Sequence, residues 1–342
     1  VKILENKKCF LIWPREDQLS RNLALALGLQ VVLAQAKNPG AHFLVRYFEQ
    51  SVRTIKWLFR ERPRFVFIQN PPLLPILIVS CFSFFYPKTK FGVDNHSVFF
   101  RSKKWRHFHF FGKFIFRKSI IVTAHNKFDL QILRRWQVPS LEVQFATPDL
   151  DKGALGKPLE NKKLAAKIEK STFPVLVVNR FAPNDDDFPT IRETAKNNPN
   201  WDFFITGDPG LLESEEKEGL PANLIFTGYL EHIEFLKLMA RSKVALCLTL
   251  RNKTVLWSIR EALALRKVFV TTDTGALRHY FSKIAIFSQK RDSQDLALKI
   301  KEAIAILPEE TRKKFNRFLL KDKERMEREI RKARFLIKKG LE

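Results

Sequence analysis

Glu261 stands among alanines and leucines in SIREALALRKVFVTTDTG (258–275), a helical pattern that runs into a basic turn, an apolar strand and a Thr/Asp/Gly loop. Just before it, Leu250–Lys253 forms a basic loop, and Thr254 suits the N-cap of the helix that follows. A helix start flanked by Arg251 and Lys253, with Thr249 at the preceding strand end, is an anion site in waiting. Glu261 lies two turns farther, about 10 Å from that start by the rise per residue. One ligand could place a phosphate at the helix start and a sugar diol at Glu261, because a carboxylate accepts two hydrogen bonds from a vicinal diol. Taken alone, a glutamate in a helix is ordinarily solvated.

Two further stretches carry groups that could move or hold protons. In DNHS (94–97), Asp94 or His96 could take a proton from a hydroxyl, with Asn95 beside them. His96 could instead hydrogen-bond a ligand, or be merely structural. TAHN (123–126) offers His125 and Asn126, and for Asn126 a helix cap is the plainer role. Arg180 follows another apolar run and is either a fixed cation for an anionic ligand or a surface arginine. Asp185–Asp187 formally contains Asp-x-Asp, a divalent-metal pattern. Asp186 or Asp187 more simply caps a helix starting near Pro189, so no metal is expected.

These residues need strands to place them. CFLIW (9–13), QVVLA (30–34), RFVFIQ (64–69), KFGVD (90–94), SIIVTA (119–124) and LEVQF (141–145) read as strands, with helical spacing between most of them, as at 48–62 and 127–137. A second series follows at 174–179, 202–207, 223–228, 243–249, 267–272 and 283–288. Strands that are continuous apolar runs belong to parallel sheets under helices. The expectation is an α/β protein with two tandem doubly wound Rossmann-like domains, 1–155 and 170–307. An interdomain cleft at the strand ends would hold ligands. The polar, Lys-rich stretch 151–173 is the linker candidate, and 308–342 is a charged helix expected to pack back on the first domain.

Composition narrows the function classes. Of 342 residues, 45% are hydrophobic, which argues against disorder, and the net charge is +25. Residues 1–170 carry +18 of it, so an anionic partner belongs with the first half. Cys9, Cys81 and Cys247 are far apart in apolar runs, which fits buried free thiols and neither zinc nor a disulfide framework. LLPILIVSCFSFFY (73–86) is too short to span a bilayer and suits a buried helix. With no run long enough to span, a soluble or peripheral protein is expected. Between Asp94 and Asp129 there is no acidic residue, and 97–119 holds seven Lys/Arg and two His among phenylalanines and a tryptophan. Arg101, Lys103, Lys104, Trp105 and Arg106 are its candidate membrane contacts. Packing of the Phe face on the core is a comparable reading. Single-stranded nucleic acid ranks last, since no RNA-binding or zinc motif accompanies it.

EALALRKVFVTTDTGALRHYF (261–281) resembles the donor-site segment of two-domain Rossmann-like (GT-B) glycosyltransferases, the family 4-like group, with Arg266-Lys267-Val268 where Gly-Lys-Pro is usual. Residues 223–249 and 177–209 are similar to that family's donor domain. FIQNPPLLPILI (67–78) with KFGVDNHS (90–97) resembles the acceptor domain of chitobiosyl-diphosphodolichol mannosyltransferases and their microbial relatives. The resemblance implies a metal-independent hexosyltransferase with a UDP- or GDP-sugar donor and no cofactor. Glu261 would hold the ribose, and Arg180, Thr249, Lys253 and Thr254 would surround the rest of the donor. Asp94, Asn95, His96, His125 and Asn126 would serve a glycan or glycolipid acceptor at the cytoplasmic face of a membrane. The family's Glu-x7-Glu pair is incomplete, because Lys253 stands where the first Glu is expected. That departure keeps a second class open: a non-catalytic binder of anions, membrane or nucleic acid on a transferase scaffold.

Overall fold

The computed structural model describes residues 7–13, 18–38, 40–144, 150–182, 185–306 and 308–342. The loop after the first strand, Pro14–Asp17, and Asn184 of the Asp-rich loop lie outside them. The chain divides into two compact units, Val1–Phe145 with Glu324–Glu342, and Ala146–Lys323.

In the N-terminal unit, strands and helices alternate: β1 (Lys8–Ile12), α1 (Gln18–Leu27), β2 (Gln30–Leu33), α2 (Phe43–Glu61), β3 (Phe65–Asn70), α3 (Leu74–Phe85) and β4 (Lys90–Asn95). Three short helices, α4 (Val98–Arg101), α5 (Lys103–Arg106) and α6 (His109–Phe116), lead to β5 (Val122–Ala124), α7 (Lys127–Arg135) and β6 (Ser140–Glu142). The six strands form one parallel sheet in the order β2-β1-β3-β4-β5-β6. All six residues of β3 are buried, as a central strand covered on both faces must be.

The C-terminal unit opens with α8 (Lys152–Gly156) and α9 (Lys162–Lys170). Its strands are β7 (Pro174–Val177), β8 (Asp202–Thr206), β9 (Leu224–Gly228), β10 (Val244–Cys247), β11 (Phe269–Thr272) and β12 (Ile286–Ser288). Between them lie α10 (Phe188–Lys196), α11 (Ser214–Lys217), α12 (His232–Arg241), α13 (Trp257–Ala264) and α14 (Gly275–Phe281). The helices α15 (Ser293–Ala305) and α16 (Pro308–Leu341) follow. The sheet is again parallel, in the order β12-β11-β10-β7-β8-β9. The strand order reverses between β7 and β10, and the loops after these two strands diverge there. Open α/β sheets bind ligands at that point.

Three expectations need correction. The stretch 151–173 is not a linker: it carries α8 and α9, and Leu164 and Ile168 are buried in the second unit's core. Its lysines simply occupy the outer face of an amphipathic helix. Cys9 and Cys247 are buried, and burial pushes their thiols up to about 11 and about 12, but Cys81 is exposed. The helix around Cys81, α3, is buried along only one side, through Pro75, Ile76, Val79 and Phe82. Residues of α16 up to Lys323 group with the C-terminal unit, and Glu324–Glu342 with the N-terminal one. Gly340 lies so close to Ile120 that a Cβ there would sit 2.5 Å from its side chain.

Candidate functional site

In the C-terminal unit a cavity of about 730 Å³ opens at the ends of β7, β8, β9 and β10. Arg180, Asp185 and Asp186 line it from the loop after β7, and Thr206 to Asp208 line it after β8. Tyr229 and His232 follow β9, while Thr254 to Ser258 and Glu261 follow β10. Gly207 makes the close approach possible. Its φ is +96°, and a Cβ there would lie 2.7 Å from the Asn179 carbonyl oxygen.

The two loops that part at the switch point are tied together by Asp185, which is buried. Thr249 Oγ1 donates to its Oδ1 at 2.5 Å, Arg180 Nη2 donates to its Oδ2 at 3.0 Å, and the Leu250 N–H reaches its carbonyl at 2.7 Å. Arg251 Nε lies 3.5 Å from the same carboxylate. The neighbouring acids are also occupied. Asp186 accepts from the backbone N–H of Arg180 and Ala182, and Asp187 from that of Arg291. Asp186 is raised above the usual carboxylate range, chiefly by burial. Neither Asp186 nor Asp187 caps α10 by its side chain: the helix starts at Phe188 with Asp187 at the N-cap position and no cap bond.

Glu261 is buried on the inner face of α13. Its Oε1 lies 2.7 Å from His232 Nε2, at the first residue of α12. The hydrogen bond to Glu261 raises the His232 pKa against the opposing effect of burial. Sequence reading passed over His232. A histidine four residues past the Gly228 strand end was visible in GYLEHIEF, but nothing in the spacing linked it to Glu261, 29 positions on.

Two donor-side expectations change. Thr254 does not cap α13, which begins at Trp257 after Leu256, a residue with no side-chain acceptor. Thr254 lines the cavity instead. The first-turn N–H groups of α13 therefore have no side-chain cap. Thr249 is fully buried, its hydroxyl taken by Asp185 and its N–H by Thr272 Oγ1, so it braces the loop. Lys253 is exposed, and the cavity lining does not include it. Arg180 is on the rim, with 72% of its side chain exposed.

In the N-terminal unit, the ends of β4 and β5 bring Asp94, His96 and His125 together. Asp94 is fully buried. Its Oδ1 accepts from Thr123 Oγ1 at 2.7 Å and lies 2.9 Å from His125 Nε2, while its Oδ2 lies 3.1 Å from His96 Nε2. His125 Nδ1 faces the Val143 carbonyl at 3.0 Å. Both nitrogens of His125 thus face acceptors, which only the doubly protonated ring satisfies. Burial favours the neutral ring, but the Asp94 carboxylate outweighs it and His125 is raised. Burial likewise pushes Asp94 up, yet the charges and hydrogen bonds of His125 and His96 hold its carboxyl well below the usual range.

Asp94 therefore holds its neighbours in place and is poorly suited to take a proton. It directs His96 Nε2 as a donor, which leaves Nδ1 of the neutral ring as the basic atom. One ligand atom from each of these three residues lies within 4.8 Å of the others, close enough for one divalent ion. With both Nε2 atoms directed as N–H donors at the carboxylate, a metal there would have to release those protons.

Asn95 Oδ1 accepts from Asn70 at 2.7 Å, while its buried Nδ2 has no hydrogen-bond partner among the described residues. Asn126 caps α7, accepting from the N–H of Phe128 and Asp129. Arg101 is not a surface contact: its Nη2 lies 2.5 Å from Oδ1 of buried Asp129. Trp105 is half-buried against the core with Lys104 over its ring, while Lys103, Lys104 and Arg106 are exposed. The segment 97–119 is three short helices. Phe99 and Phe116 are buried and Phe110, Phe111 and Phe114 exposed, so it meets both the core and the exterior.

Two six-stranded parallel Rossmann-like sheets, with a carboxylate-bearing cavity at the strand ends of the second, are the GT-B architecture of nucleotide-sugar-dependent glycosyltransferases. More narrowly, residues 153–322, within the C-terminal unit, match the family described as Glycosyl transferases group 1. Similar solved structures include HepE from Anabaena in complex with UDP and glucose, at 14% identity and a TM-score of 0.65. The match covers 97% of this chain and 91% of that one. A sucrose-phosphate synthase from Thermosynechococcus elongatus matches at 15% identity and a TM-score of 0.67, over 98% of each chain. A UDP-forming trehalose-phosphate synthase from Burkholderia xenovorans matches at 12% identity and a TM-score of 0.65, over 87% of this chain and 78% of that one. At such identities the likeness is one of fold. No curated protein matches the chain by sequence.

Proposed function

We propose that the protein transfers a sugar from a nucleoside-diphosphate donor, held in the C-terminal cavity, to an acceptor served by the N-terminal unit. The observation that carries this reading is the cavity itself. A buried carboxylate, Glu261, and the uncapped start of α13 line one wall, with Arg180 at the rim. Glu261 accepts the ribose hydroxyls, His232 keeps the carboxylate turned into the cavity, and the first turn of α13 with Arg180 meets the diphosphate. These groups would stabilise the charge that develops on the departing nucleotide, an effect that is usually the largest catalytic contribution. No resident cofactor enters this scheme.

UDP is the proposed nucleotide, because HepE of the same fold binds UDP and UDP-glucose. His96, rather than Asp94, handles the acceptor hydroxyl, with its proton-accepting Nδ1 set by Asp94. A glycan or lipid-linked glycan is the acceptor class we infer, from the resemblance of the first unit to chitobiosyl-diphosphodolichol mannosyltransferases. Thermal unfolding with UDP and GDP tests the donor site, since a ligand that binds only the folded state raises the melting temperature. A UDP shift that Glu261→Ala removes is expected, and no shift with either nucleotide would sink the reading. Nucleotide binding without turnover of any UDP-sugar would favour the non-catalytic alternative, to which Lys253 points.

A further inference from the structure

The outer surface of the N-terminal unit carries a feature that the donor cavity does not use. Helix α3 has no charged residue among its twelve. A helix that is apolar all round is normally buried or lies in lipid. Here one side packs on the core and the other is open: Phe84 is 78% exposed and Phe85 76%, with Leu77 and Cys81 on the same stripe. Its neighbours repeat the pattern. Helix α6 packs inward through Gly112, where a Cβ would meet the Phe99 ring at 2.7 Å, and through Ile115 and Phe116. Its opposite side exposes Phe110, Phe111 and Phe114. Helices α3 and α6 are in contact, and α2 joins α3 through an edge-on Phe59–Phe82 pair at 5.3 Å, with Phe48 of α2 72% exposed. Three adjoining helices thus present one apolar face, larger than the scattered single residues of an ordinary surface.

Charge indicates what covers it. Between Glu61 and Asp129 the chain has twelve Lys/Arg and a single carboxylate, Asp94, which is buried. Lys104, Arg106 and Lys118 are exposed around α6. The two acids of α2 are already paired, Glu49 with Arg53 and Glu61 with Lys7 and Arg60. Phenylalanines that enter the acyl boundary, ringed by cations that meet phosphate headgroups, are the pattern of a protein lying on a membrane. Among the described residues no helix is long and apolar enough to cross one.

We infer that the α2–α3–α6 face docks the protein on an anionic lipid surface, with Phe84, Phe85, Phe110 and Phe111 entering the bilayer interface. The docking face differs from the Arg101–Arg106 stretch that the sequence nominated, of which only Lys103, Lys104 and Arg106 remain as headgroup contacts.

Flotation of the full chain with vesicles of phosphatidylcholine, alone or with phosphatidylglycerol, tests this. Binding is expected to the anionic vesicles and not to the neutral ones, weakened by added salt. Replacing the exposed rings in Phe84→Ser/Phe85→Ser, and separately in Phe110→Ser/Phe111→Ser, should lower vesicle binding by more than about tenfold, given the apolar area removed. Because these side chains are exposed, the variants should melt at the wild-type temperature. They should also keep the UDP-induced shift, which separates this inference from the donor-site reading. Equal flotation by wild type and both variants would overturn the assignment. A wild-type dimer in light scattering that the variants convert to monomer would overturn it too, because a second copy would then cover the face.

Discussion

Both units set a buried carboxylate against histidine, Asp94 at the end of a strand and Glu261 on a helix, and the two settings differ in what they leave free. Asp94 receives Thr123, His125 and His96, so both its oxygens are occupied from within the protein. Among the described residues Glu261 pairs with the His232 side chain, which is 60% exposed, and it lines an open cavity. A carboxylate surrounded by its own donors organises the residues around it, whereas one with spare acceptor capacity at a cavity wall can take a ligand's hydroxyls. On this difference we propose that Asp94 positions its neighbours and Glu261 binds the donor.

The sharpest way to break that comparison is to remove each carboxylate. Asp94→Ala leaves a buried imidazolium without its partner and should cost about 3–5 kcal/mol of stability, read by urea denaturation. Were Asp94→Ala as stable as wild type, the internal ion pair would not exist. Glu261→Ala should fold normally and weaken UDP binding by about 1.5–3 kcal/mol, or roughly 10- to 100-fold, in calorimetry. An unchanged affinity would remove Glu261 from the donor site.

The histidines give smaller effects. His125 is raised in the folded protein, so its contribution to stability is fully present below the ordinary histidine pKa of about 6.5 and is lost as pH rises through the folded value. Wild-type stability should therefore decline on that alkaline side, and His125→Asn should flatten the decline. A wild-type profile that rises there would show that the ring is neutral when folded. His232→Ala should weaken UDP binding only about two- to fivefold, because a half-exposed hydrogen bond contributes little. A loss as large as that of Glu261→Ala would mean that His232 touches the nucleotide itself.

Much of this architecture was legible in the chain. The twelve strands of the described residues overlap or adjoin the apolar runs, because the central strands of a parallel sheet covered on both faces bury mostly apolar side chains. Glu261 was legible too, since its place on the helix after a strand end follows from local periodicity. The cap expected of Thr254 and the exposed donor role expected of Thr249 failed because a cap, a cavity-lining residue and a buried brace are all threonines near a helix start, and only coordinates separate them. The stretch 151–173 was misread because the composition of a short amphipathic helix is mostly that of its wet side.

The sequence by itself determined the two-sheet architecture, the basic bias of the first half and the helix that carries Glu261. Each of these depends on residues close together in the chain or on simple sums. The tertiary structure alone decided which groups meet. It brought His232 to Glu261 across 29 positions, Asp185 to Thr249 across 64, and His125 to Asp94 across a strand pair. It also left one side of α3 uncovered, because burial depends on what packs against a helix, and an apolar run by itself does not record its neighbours.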